Sequence, residues 1–220
     1  MVQCRKIPTG KVNTYGDEKY MNDKFFDLKQ EKQDRMINAA LKIFSRKGYK
    51  HASTDDIVKE AGISKGLLFH YFGSKIGLYN FLFDYSARFM LLELSREVRR
   101  SETDYFALVK QMERARMQVM KLYPYMQKFL NGAMREECLE AVTQIADKRN
   151  DYMEKCAPTT CRRTTAALRP TGMQTTWCGW CRYTDRRDRE DMTSRYDFTP
   201  ERLYHEICVY VDMLQKMTER

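Results

Sequence analysis

At 220 residues and a formal net charge of +9, the chain is long enough for one sizeable core or two small ones, and its charge suits a polyanionic partner, either nucleic acid or a membrane surface. No apolar run reaches the length of a membrane span, and the first residues lack the apolar segment of a secretory signal, so a soluble cytoplasmic protein is expected. Seven cysteines (4, 138, 156, 161, 178, 181 and 208), an odd number, fit reduced thiols better than a secreted disulfide framework.

Residues 1–20 carry Gly, Thr, Asn and charges without an apolar period, and a disordered tail is expected over 1–30, with Met21 a candidate alternative start. From Glu31 the pattern becomes helical. Met36, Ile37, Ala40, Leu41 and Phe44 form one stripe, and Gly48 follows as the stop. Ser53 is placed to cap a second helix over 54–61, with Asp56 as a short capping-box partner. Gly62 allows a tight turn, Ser64 caps a third helix to about Tyr71, and Ser74 caps a fourth with apolar positions 78, 81, 82, 85, 89 and 92. Further helices are expected from Ser101 and Asp104 to Pro124, over about 125–131, over about 135–155, and from Pro200 with a stripe of Leu203, Ile207, Tyr210, Val211, Leu214 and Met217. No long run alternates with a period of two. The expected fold is all-α, with a helix-turn-helix domain over 31–76 and a second α-helical domain over 77–220.

Two short helices joined through Gly62 and Ile63, after a longer first helix, make a helix-turn-helix. Ile57, Ala61, Ile63, Leu68 and Phe72 are expected to hold it against the first helix. The third helix then exposes Lys65, Gly66, Leu67, Phe69 and His70 to a major groove. Tyr71 offers a hydroxyl suited to a phosphate, and Lys75 adds charge to the free N–H groups that begin the fourth helix. Read without that motif, His70 is a half-buried helix residue and Lys65 and Lys75 are solvated charges. His51 and His205 are lone histidines and take no role.

The segment INAALKIFSRKGYKHASTDDIVKEAGISKGLLFHYFGSKIGLYNFL, Ile37 to Leu82, resembles the DNA-binding domain of TetR-type bacterial transcriptional regulators. The likeness lies in the Phe44, Gly48, Tyr49 turn, the AGISKG turn and the HYF-x-SK ending. It implies a homodimeric repressor on a pseudo-palindromic double-stranded operator, with a helical second domain that binds a small effector and releases DNA. By matching position, Thr54, Tyr71 and Lys75 meet phosphates, while Ser64, Lys65, Gly66, Leu67, Phe69 and His70 line the groove. Leu67 stands where the family often has Thr, Phe69 where Tyr is common, Gly73 where a basic residue is frequent, and Ile76-Gly77 where an acidic pair is usual.

Met112, Met117, Met120, Tyr123, Tyr125, Met126 and Phe129 form a stripe that suits either an effector pocket or ordinary core packing. Rings and thioethers would favour an apolar or cationic ligand. Residues 156–182 break the helical regime and hold both tryptophans and four cysteines. Three readings stand for this segment. Cys156, Cys161, Cys178 and Cys181 could be zinc ligands; Cys178 and Cys181 could form a WCGxC thiol-redox site; or the segment is misread through compensating frameshifts or is a disordered loop. Regulators of this type pair through their last two long helices. The first of these would fall in about residues 160–182, so the chain as written is expected to dimerise weakly. No nucleophile–base pair, phosphate loop or HExxH motif appears, and neither catalysis nor a cofactor is expected.

Overall fold

The structure, a computed structural model, describes residues 23–99, 101–156 and 199–218. Among these lie eight α-helices and no strand: α1 Gln30–His51, α2 Thr54–Ala61, α3 Lys65–Phe72, α4 Lys75–Glu97, α5 Tyr105–Leu122, α6 Met126–Ala133, α7 Leu139–Cys156 and α8 Pro200–Thr218. The described residues are all-α, as the periodicity implies.

Local chemistry sets most of the boundaries. The stripe of α1 is buried in full, and the helix breaks at Gly48, whose φ of 68° and ψ of 178° suit a residue without Cβ. The Ser53 hydroxyl accepts the N–H of Asp55 at 3.1 Å and opens α2. Asp56 does not complete a capping box; its carboxylate pairs with Lys47 at 2.7 Å. α2 ends in a Schellman arrangement, with Gly62 left-handed (φ 62°), its N–H on Lys59 O, and Ile63 N–H on Val58 O at 3.1 Å. Ser64 accepts the N–H of Leu67 at 3.2 Å and Ser74 that of Gly77 at 3.1 Å, opening α3 and α4.

Some boundaries differ from the sequence reading. Asp104, not Ser101, caps α5, accepting the N–H of Phe106 at 2.9 Å. α7 starts at Leu139 rather than near 135, because Glu136 takes the N–H groups of Glu137 and Cys138 ahead of it. The expected tail to residue 30 is too long. Asp23–Phe25 forms a 3-10 turn, and Phe25 is fully buried. Its ring meets Tyr71, Phe72 and Phe81, so burial of one large aromatic orders the segment.

α4 is the spine. Leu78, Tyr79, Phe81, Leu82, Phe83, Ala87, Phe89 and Met90 are buried in one continuous core that runs from Phe25 to Tyr152. It packs on α1, α3, α5, α6 and α7. α8 rests on α5 through a separate small cluster of Val109, Ile207 and Val211, flanked by Lys121–Glu201 at 2.7 Å and by Lys110–Asp212.

Gly77 decides how closely α4 follows α3. A Cβ there would lie 2.2 Å from the Phe72 carbonyl oxygen, which is backbone and cannot swing aside. Gly77→Ala is therefore expected to destabilise the fold by about 1–3 kcal/mol, read as a lower urea midpoint at unchanged slope. An unchanged midpoint would mean that the turn relaxes freely.

Candidate nucleic-acid interface

α2 and α3 are each eight residues long and joined through Gly62, Ile63 and Ser64. Leu68 and Phe72 turn into the core beside Ile57 and Ala61 of α2. Lys65, Gly66, Phe69 and His70 are exposed together on the opposite side. The spacing explains the grouping: 65 with 69 and 66 with 70 are i, i+4 neighbours on one face. Phe69 is 36% exposed, a large ring left partly in water. A Cβ on Gly66 would meet nothing within 4 Å, so the backbone there is open to an approaching surface.

The other candidates sit at the margins. Thr54 is half-buried at the first turn of α2, and the Ser64 hydroxyl is engaged as the cap of α3. Leu67 is half-buried and packs against the core. Tyr71 is 8% exposed, its ring edge-on to Phe25 at 5.7 Å and to His70 at 5.1 Å. Lys75 begins α4, with its ammonium 4.5 Å from the centroid of the Tyr49 ring and 3.4 Å from the Lys50 carbonyl, to which it donates. Two neighbours escaped the sequence reading. Asp55 pairs with Lys65 at 2.8 Å, and Lys50 lies beside Lys75 at an opening of about 400 Å³. The Asp55 pairing was visible only as an acidic residue in a neighbouring first turn.

The Met and aromatic stripe is closed. Met112, Tyr123 and Phe129 are buried, and Met117, Met120 and Tyr125 half-buried. The Tyr123 hydroxyl donates to Asp34 of α1 at 2.7 Å and lies 2.7 Å from that of Tyr85, and burial pushes its pKa far up. The Tyr125 hydroxyl accepts from Arg46 at 3.3 Å. Two openings, of about 400 and 440 Å³, are lined by no residue of that stripe.

Cys156 is half-buried at the end of α7 beside Tyr152, and burial pushes its thiol up, which favours the protonated form over the thiolate that metal binding or nucleophilic attack requires. Cys161, Cys178 and Cys181 lie outside the described residues. Among the described residues no three His, Cys, Asp or Glu side chains group as metal ligands, and no helix is long and apolar enough to cross a membrane.

Two short capped helices joined by a three-residue turn, with one polar and aromatic face left exposed, have the geometry of a helix-turn-helix. Residues 36–80 match the family model described as "Bacterial regulatory proteins, tetR family". Among curated relatives, an uncharacterized HTH-type transcriptional regulator, YuxN of Bacillus subtilis, is 43% identical over 59 residues, covering 25% of this chain and 20% of that protein. The HTH-type negative transcriptional regulator IcaR of the biofilm operon icaADBC in Staphylococcus aureus is 40% identical over 47 residues, covering 21% of this chain and 25% of its own. The chain thus matches a fifth to a quarter of these relatives' length. A crystal structure of a TetR family transcriptional regulator from Chloroflexus aurantiacus superposes with a TM-score of 0.58 at 19% identity, over 90% of this chain and 96% of that one, and so shares the fold.

Proposed function

We propose that the chain is a sequence-specific DNA-binding transcriptional regulator that represses by occupying a pseudo-palindromic operator and leaves it when a small effector binds the second domain. The observation that carries this reading is the exposed face of α3: Lys65, Gly66, Phe69 and His70 stand in line on a helix capped by Ser64. In the proposed complex this face enters the major groove with Ser64 and Leu67 at its edges. Thr54, the Tyr71 hydroxyl and Lys75 meet phosphates on either side. Repression is the direction that IcaR's description supports by domain likeness. Such a protein acts in the cytoplasm.

The effector would enter between α5 and α6, parting Met112, Met117, Met120, Tyr123, Tyr125 and Phe129, whose rings and thioethers suit an apolar or cationic molecule. Two copies would occupy half-sites about 34–36 Å apart. The test of the whole reading is selection of bound sites from random duplex DNA by the full chain. A recovered half-site consensus, single or repeated, supports the DNA-binding reading, and recovery of no enriched sequence overturns it.

One consequence concerns the Lys65–Asp55 pair. Both side chains are largely exposed, so the pair itself is weak, but Asp55 places a negative charge beside the groove face. Asp55→Asn is expected to tighten binding to all duplexes by roughly two- to fivefold at low salt, with the gain shrinking as salt rises. Equal affinity at low salt would place Asp55 and Lys65 away from the bound duplex.

A further inference from the structure

The kink near the end of α1 is held from the loop that precedes α7. Just past Gly48, the N–H of Tyr49 donates to Glu136 Oε2 at 3.0 Å. The other oxygen of that carboxylate accepts the N–H groups of Glu137 at 3.2 Å and Cys138 at 3.1 Å, just before α7. One side chain therefore ties the start of α7 to the end of α1. Glu140, in the first turn of α7, interacts with the Tyr49 hydroxyl; burial first, then this contact, pushes that phenol up. Tyr49 is 4% exposed and wedged against Tyr79, ring centroids 5.1 Å apart, and Phe44 at 6.4 Å. The ring so fixed is the one beneath the Lys75 ammonium. α7 in turn lies along α4, where Lys148 donates to Asn80 at 2.9 Å and Tyr152 meets Phe83.

We infer that Glu136 and Glu140 are positioning residues for Lys75: α7 clamps Tyr49, Tyr49 seats the ammonium, and the place of α7 thereby sets whether that charge stands where a phosphate meets it. The inference rests on the proposed contact between Lys75 and DNA. Lysine carries its charge on a flexible four-carbon stem, and seating it beforehand lowers the ordering cost on binding. Removing the Glu136 carboxylate leaves three backbone N–H groups without their acceptor and frees the turn. The sign separates this role from simple electrostatics. Deleting an acidic group near a DNA-binding face tightens binding if charge is all that matters. A positioning role predicts the reverse.

The experiment is a double-mutant cycle on the full chain, measured with a random-sequence duplex across a salt series. Glu136→Ala is expected to weaken binding roughly three- to tenfold and to lower the salt slope by about one. Glu136→Gln keeps one acceptor oxygen and can still hold Tyr49, at the cost of the Glu137 and Cys138 bonds, so it should lose clearly less than Glu136→Ala. In a Lys75→Ala background, Glu136→Ala should have no further effect. Tighter binding by Glu136→Ala, or additive losses in the double variant, overturn the inference while leaving the DNA contact intact. No loss in Lys75→Ala alone removes the contact and the inference together. Should Glu136→Ala lose its helical circular dichroism, Glu140→Ala enters the same cycle, with the same coupled loss expected and additivity again overturning.

Discussion

Replacing Phe25 by Ala is expected to remove about 3–5 kcal/mol of stability, a large share of what holds a domain together, and to weaken DNA binding with it. The ring is fully buried and its centroid lies 5.1 Å from Phe72, 5.3 Å from Phe81 and 5.7 Å from Tyr71. Two of those partners belong to α3, so the cavity left by truncation opens directly behind the proposed groove face. Gln33, buried in α1, donates to the carbonyls of Phe26 at 3.1 Å and Leu28 at 2.7 Å and pins the segment that carries the ring. The segment is therefore a brace for the recognition helix. Urea denaturation gives the stability loss as a shift in midpoint, and titration with duplex DNA under native conditions gives the binding loss. A Phe25→Ala chain as stable as its parent would place the brace outside the folded unit.

The full chain is expected to sediment mainly as a monomer at micromolar concentration and to hold a two-half-site duplex no more tightly than a single half-site. α8 gives its inner side, Ile207 and Val211, to α5. Its outer side leaves Val209 and Tyr210 41%, Met213 56% and Met217 73% exposed. Such a face fits a second copy, but a stable interface buries about 1,200–2,000 Å² in total, and one narrow helix face from each protomer supplies roughly half of that. The second helix of a four-helix pairing would come from about residues 160–182, a stretch that carries no apolar stripe at helical spacing. Without firm pairing the half-sites are not held one turn apart, and affinity for the two-half-site operator falls toward that of one half-site alone. Sedimentation velocity decides the point. A tight dimer at micromolar concentration refutes the expectation and makes α8 alone a sufficient interface.

Much of the helix-turn-helix was legible because its determinants are local. Ser53, Ser64 and Ser74 each bond an N–H two or three residues ahead, and Gly48, Gly62 and Gly73 each take a positive φ at a helix end. The apolar stripes of α1 and α4 were legible for the same reason, since helical spacing alone brings their residues to one side. The stripe on α5 and α6 could be read as apolar but not as open or closed. Whether Tyr123 lines a cavity or fills a core depends on Asp34 and Tyr85, which lie 89 and 38 residues away.

The sequence by itself determined the helical class, the helix-turn-helix and, of the expected exposed group, Lys65, Gly66, Phe69 and His70, because periodicity and capping act within a few residues; Leu67, expected in the same group, instead packs against the core. Tertiary structure decided that Phe25 braces α3, that Tyr71 is mostly covered, and that Lys75 rests on a tyrosine held from α7. Those outcomes depend on contacts such as Tyr49 with Glu136, 87 residues apart. Nothing in either residue's neighbourhood along the chain names the other; only packing the helices around α4 brings them within hydrogen-bond reach.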